Sequence, residues 1–237
     1  MTPLSDWKNR PSDGNEQHVF LRDFQLYYES IFLVQHAIEH LRKADPVLAA
    51  IIERIGEYKI TYREPTFESL VRSIVFQQLN GRAAMTIFNR LAEAAGGKLT
   101  PESILSLSTP ELRKVGLSKQ KMTYIRDLAA LTASGALDFA ALPQLTDEEV
   151  IAALTQVKGV GVWTAHMFLM FALRRENILP TGDLGVRAAI RKAYKKRKLP
   201  LPNHIEKIAR GWHPYCSVAT WYLWRYVELT TVGDGKG

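Results

Sequence analysis

Apolar residues recur along this chain at helical spacing, with small or polar residues punctuating them at short intervals. Val34, Ala37, Ile38 and Leu41 predict a helix over about 31–43, and Pro46 opens a second that Gly56 stops. Thr66 is placed to cap a helix running to about Leu79, with Leu70, Ile74 and Val75 inward. Asn80-Gly81 breaks the pattern, which resumes from about Arg82 to Ala95 and closes at Gly96-Gly97. Thr100-Pro101 and Thr109-Pro110 each read as a cap followed by proline at the first helical position. Ser118 caps a further helix to about Thr132.

Thr146-Asp147-Glu148-Glu149 is a capping box ahead of Val150, Ile151, Leu154 and Val157. That helix is expected to end at Gly159, with a new one starting at Val162. Later helices are expected over about 183–194, 203–211 and 216–230. No stretch alternates apolar and polar residues as a strand does, so the fold class is all-α, with roughly ten helices. Residues 1–17, with Pro3, Pro11 and Gly14, read as a loose arm. The aromatic residues from Phe20 to Phe32 read as core packing.

Composition narrows the function classes. The 237 residues carry a net charge of +7, which favours a polyanionic partner such as nucleic acid. A single cysteine, Cys216, excludes an internal disulfide and any Cys-rich metal site. The longest apolar run, Val160–Leu173, is too short to span a bilayer, so no membrane role is expected.

Charge gains meaning at one stretch, Val157-Lys158-Gly159-Val160-Gly161-Val162-Trp163-Thr164-Ala165. Glycines between two helices permit a turn of very few residues. The second helix then presents free N–H groups and the positive end of its dipole, a ready site for a phosphate oxygen. Val160 is expected to tuck inward, and Lys158 adds a positive charge. About twenty residues on, Pro180-Thr181-Gly182-Asp183 supplies a lone carboxylate, which is also placed to cap the helix that follows.

Together these pieces resemble the helix-hairpin-helix DNA glycosylase superfamily, in which the hairpin is followed by a Gly/Pro-rich loop and an aspartate. Three more stretches are similar to its alkylation-repair branch, the 3-methyladenine DNA glycosylase II type: Leu70 to Leu79, Gly116-Leu117-Ser118-x-x-Lys121, and Trp212 to Arg225. The likeness spans about 65–230. It departs at Cys216, where relatives usually carry a basic residue, and residues 1–64 hold no counterpart of the β-rich N-terminal domain of the bacterial enzyme.

The resemblance implies a two-lobed fold with the active-site cleft between lobes. One lobe would be residues 18–64 plus 183–237; the other would be 65–182, carrying the hairpin element at about 147–173. It implies Asp183 as the catalytic carboxylate, a backbone grip by Lys158, Gly159, Val160 and Gly161, and a duplex wedge at Leu79 with Gln78 plugging the gap. Asn80 and Ser118 would face the minor groove, and Trp163, Trp212, Tyr215 and Trp221 are candidates for the base pocket. Lyase relatives carry a nucleophilic lysine near the start of the second hairpin helix, and here that position reads as Trp163. The implied activity is hydrolysis of alkylated purines such as 3-methyladenine and 7-methylguanine from damaged double-stranded DNA, by a monomer that leaves the abasic site uncut. No cofactor is required, although the resemblance allows Na+ or K+ at the hairpin carbonyls. The implied location is the nucleoid-bearing cytoplasm of a prokaryote or the nucleus of a eukaryote. Alternatives are a glycosylase for hypoxanthine, ethenoadenine or uracil, or a non-catalytic helix-hairpin-helix protein, which would leave Asp183 and the Gln-Gln-Leu tip unexplained.

His36-Ala37-Ile38-Glu39-His40 also matches the H-x-x-E-H spacing of inverted zinc peptidases, but no third ligand pattern follows downstream. Lys195-Lys196-Arg197-Lys198 reads as a solvated helix end, with a nuclear address or a phosphate contact as the alternative.

Overall fold

Capping chemistry sets most helix starts in the computed structural model, which describes residues 32–233. Twelve α-helices form there: α1 (residues 32–44), α2 (Pro46–Ile55), α3 (Phe67–Phe76), α4 (Gly81–Ala94), α5 (Pro101–Ser106), α6 (Thr109–Lys114), α7 (Lys119–Ala133), α8 (Asp147–Thr155), α9 (Val162–Phe171), α10 (Leu184–Ala193), α11 (Pro202–Ile208) and α12 (Cys216–Gly233). No strand occurs among the described residues. The expected arm at 1–17 and the aromatic residues before Phe32 lie outside them. Phe32 itself is 70% exposed, not core. None of the described helices is long and apolar enough to cross a membrane.

Thr100, Ser108 and Thr146 each close a capping box on the residue three positions later. For α6 the cap is Ser108 rather than Thr109, because Glu111 reaches back to the Ser108 N–H at 2.7 Å. Two expected ends also move. Gln77 leaves helical angles (φ −55°, ψ 130°), so α3 stops at Phe76 rather than Leu79. Helix α8 stops at Thr155, which frees residues 156–161 for the hairpin.

The chain clusters into two units, residues 1–58 with 188–237 and residues 59–187, the division falling within α10. In the central unit (59–187), α3 packs on α4 and α7, α7 on α5 and α6, and α8 on α9. Leu70, Ile74, Leu91, Ile104, Leu112, Ile125 and Leu128 have no exposed surface, and each such side chain contributes about 1.5–3 kcal/mol through burial.

In the terminal unit, α2 packs against α12. Asp45 organises that unit from a buried position. Its Oδ1 accepts from the N–H groups of Val47 and Leu48 at the start of α2, and its Oδ2 accepts from the Tyr194 hydroxyl at 2.5 Å and Trp212 Nε1 at 2.9 Å. A carboxylate that satisfies four donors carries its charge into a core at low cost.

Candidate active site and nucleic-acid interface

Helices α8 and α9 are joined by a turn in which the two glycines do different work. Gly159 sits at φ +78°, in the left-handed region that side chains rarely occupy, and a Cβ there would run into the Tyr124 ring. Gly161 is extended at φ −99°, ψ 175°, a conformation open to any residue, and a Cβ there would meet nothing. The expectation that both glycines serve the turn's backbone therefore holds for Gly159 alone. Gly161 is the N-cap of α9, and no side chain caps that helix. Its missing side chain leaves the first-turn N–H groups uncovered. Val160 is 4% exposed, tucked inward as expected.

Asp127 on α7 holds the turn from the other side. Its carboxylate accepts from the Lys158 backbone N–H at 2.9 Å and pairs with the Lys158 ammonium at 2.7 Å. Burial pushes the Asp127 carboxyl up, but the hydrogen bonds and charge of Lys158 outweigh it and hold the group below the ordinary carboxylate range. Lys158 is expected to add positive charge beside the turn. The structure pairs its ammonium with Asp127, because the turn brings an acid 31 residues away within reach.

Asp183 caps α10, with Oδ1 accepting from the Val186 N–H at 2.7 Å. Its Oδ2 accepts from Trp163 Nε1 at 2.6 Å. Asp183 is 7% exposed, whereas Trp163, whose indole holds it, is 50% exposed. Capping and chemistry do not compete here, since one oxygen anchors the group and the indole aims the other. The sequence reading gave Trp163 a ring face for a base; its grip on Asp183 is a second role.

The turn between α3 and α4 holds Gln78, Leu79 and Asn80. Gln78 adopts φ +56°, Leu79 is 39% exposed at the tip, and the Asn80 Oδ1 caps α4 by accepting from the Ala83 N–H at 2.9 Å. Ser118 caps α7 through the Lys121 N–H at 3.2 Å. A cleft of about 900 Å³ opens on the central unit beside this turn, bordered by Phe76, Leu79, Lys121, Trp163, Thr164 and Met167.

Three pocket candidates lie in the terminal unit. Trp212 is wholly buried, with its N–H donated to Asp45, and Trp221 is 7% exposed and packed edge-on against Tyr58 and Tyr222. These two tryptophans are core residues without a face for a ligand, which corrects the expectation. Tyr215 is engaged by the decoy histidines. Its hydroxyl bonds His36 Nδ1 at 2.9 Å, while His40 Nε2 donates to the Gly211 carbonyl at 2.8 Å. Glu39 pairs with Lys43 at 2.6 Å, and no cluster suited to a metal ion occurs among the described residues. Cys216 is buried, and burial pushes its thiol up to about 12.

A hairpin with an open helix start, followed by an aspartate that caps a helix and is held by an indole, has a match in sequence. The profile of the HhH-GPD superfamily, base excision DNA repair proteins, covers residues 71–214. The chain belongs to this superfamily.

Among HhH-GPD relatives, the chain is 32% identical over 197 residues to DNA-3-methyladenine glycosylase 1 of Schizosaccharomyces pombe, covering 80% of this chain and 86% of that one. A solved DNA-3-methyladenine glycosidase from Bacillus halodurans superposes with a TM-score of 0.74 at 36% identity, over 83% of this chain and 91% of that one. The Schizosaccharomyces pombe 3-methyladenine DNA glycosylase, solved in complex with abasic DNA, gives a TM-score of 0.71 at 33% identity, over 80% and 95% of the two chains.

Sequence reasoning missed Asp127, Tyr124 and the clamping role of Lys121. All three lie on α7, and each acts on a segment far away in the chain, at Lys158, Gly159 and Val75.

Proposed function

We propose that this protein is a monofunctional DNA glycosylase that flips alkylated purines, 3-methyladenine and 7-methylguanine among them, out of duplex DNA and hydrolyses their N-glycosidic bond. The observation that carries the reading is the Asp183 carboxylate, anchored by Val186 and aimed by Trp163. Breaking the C1′–N bond sends its electron pair to the departing base and builds positive charge on the sugar. A fixed carboxylate stabilises that charge and accepts a proton from the attacking water, whose oxygen completes the abasic sugar. An N3- or N7-alkylated purine already carries a positive charge, so it departs without further acid catalysis. The exposed face of Trp163 is an electron-rich surface for such a base.

Gly161 and the uncapped start of α9 supply N–H donors for a DNA phosphate, and Leu79 supplies the apolar wedge that opens a base step. Lys158, 66% exposed although paired with Asp127, adds positive charge beside that phosphate. Unstacking the target costs a few kcal/mol, and damage lowers that cost. The protein acts as a monomer, in the nucleoid or the nucleus, wherever its DNA lies.

The hairpin carbonyls are oxygen donors of the kind a monovalent cation takes. Those of Val157 and Gly159 each accept one hydrogen bond, from Val160 N and Gln77 Nε2 at 3.0 Å, and each keeps a second lone pair. A cation held there would add positive charge beside the phosphate, and the hydrolysis needs none of it.

Absence of lyase activity follows from Val162 and Trp163 at the start of α9, since neither side chain can form a Schiff base with C1′. Borohydride added during turnover on methylated duplex DNA should trap no protein–DNA adduct while free base accumulates; a trapped adduct would move the protein to the lyase subclass.

A further inference from the structure

The wedge turn is held in shape by side chains from elsewhere. Helix α3 ends with carbonyls that lack intrahelical partners, and Gln78 follows in a left-handed conformation that is unfavourable for a residue with a side chain. The Lys121 ammonium lies against this end and donates to the carbonyls of Val75 and Gln77, both at 2.7 Å. It arrives there because Ser118 caps the first turn of α7 and fixes its register. A cation at a helix C-terminus also meets the negative end of the dipole. Burial pushes the Lys121 ammonium down from its ordinary range, yet it satisfies two carbonyls with charge-assisted bonds.

Gln77 carries the connection onward. Its Nε2 donates to the Gly159 carbonyl at 3.0 Å and lies 3.5 Å from Thr164 Oγ1. Gly159 is the residue that makes the hairpin turn, and Thr164 follows Trp163 directly on α9. A chain of named contacts therefore runs from α7 through the base of the wedge to the helix that aims Asp183. Every link lies in the central unit.

We propose that Lys121 and Gln77 are positioning residues for base flipping, locking the Gln78–Leu79 wedge to the hairpin so that duplex opening and Asp183 act in one fixed geometry. The inference rests on the glycosylase reading above and adds a mechanical coupling to it. Neither residue touches the reacting atoms. A loosened wedge enters the duplex poorly, so the cost falls on opening the helix rather than on bond cleavage.

The test uses the full chain with Lys121→Met, which keeps the stem and removes the donors, Lys121→Arg, which restores them, and Gln77→Met as an independent break. Single-turnover base release is measured on a methylated purine placed in a duplex and in an unpaired single strand. Loss of two charge-assisted hydrogen bonds predicts a roughly 10–100-fold slower rate on the duplex. On the single strand the loss should stay within about threefold, since no step there needs the wedge. Lys121→Arg should recover most of the duplex rate. Equal losses on both substrates would overturn the proposal in favour of a general structural role, as would an unchanged duplex rate in Lys121→Met and Gln77→Met.

A second readout is independent of chemistry. End-to-end FRET on a duplex with a tetrahydrofuran abasic analogue should report a kink with wild type that Lys121→Met and Gln77→Met reduce at saturating protein. If wild type kinks this duplex more than both variants do but releases no base, the glycosylase reading fails while the coupling stands; an undiminished kink in both variants sinks the coupling alone.

Discussion

Gly159 and Gly161 are two residues apart and look interchangeable in sequence, yet they answer to different demands. Gly159→Ala forces a side chain onto φ +78° and into the Tyr124 ring, which overpacking data place at about 1–3 kcal/mol or more. Gly161→Ala meets open space in an ordinary conformation, and the change at an N-cap costs about 1 kcal/mol or less. Chemical denaturation should therefore separate the two variants clearly in midpoint. Affinity for duplex DNA should fall for both, because the Gly161→Ala methyl sits over the bare start of α9. Equal stability losses would remove the distinction. Cys216 is a second case at this scale. Its thiol is buried and pushed up to about 12, so the native protein should resist a disulfide reagent at pH 8 that labels it readily once unfolded; fast labelling of the folded protein would show the site to be open.

At the scale of elements, α7 is the surprise. The chain before and after the hairpin read correctly: the Thr146 capping box, inward Val160, the Asp183 cap and the start of α9 at Val162 are all local patterns of side chain and spacing. What held the hairpin in place was not local. Asp127, Tyr124 and Lys121 are unremarkable residues on an amphipathic helix, and their partners lie far along the chain, in the hairpin for the first two and at the end of α3 for the third. Trp212 and Trp221 failed for a related reason: tryptophans just before and within α12 carry no local mark that separates core from lining.

The Asp127–Lys158 pair gives this scale its own test. Asp127 is held below the ordinary carboxylate range, so its stabilising contribution is complete above that range and is lost as pH falls through the lower folded value. Its side chain is 18% exposed and that of Lys158 66%, so solvent screens the charge part to about 1 kcal/mol or less. Asp127→Asn should therefore melt a few degrees below wild type at pH 7, with the gap closing under strongly acidic conditions. A gap that widens on acidification would contradict the assignment.

Taken whole, the molecule pairs an all-α frame and a net charge of +7 with a buried carboxylate, Asp183, that accepts from Trp163 and Val186. Membership of the HhH-GPD superfamily fits both parts, and the charge implies an affinity for DNA that weakens steeply with salt. Asp183 uses both oxygens as acceptors, and the amide of Asp183→Asn has only one, so the substitution removes the negative charge and leaves one donor, Trp163 or Val186, facing an NH2. The deciding measurement is the single-turnover release of 3-methyladenine from methylated duplex DNA by wild type and Asp183→Asn, at protein concentrations that saturate an abasic-analogue duplex for both. Release by wild type with a loss of at least about 100-fold in the variant, on the scale of removing one preorganised charge from an active site, is the predicted result. Equal release by both proteins, or no release by either, would contradict it.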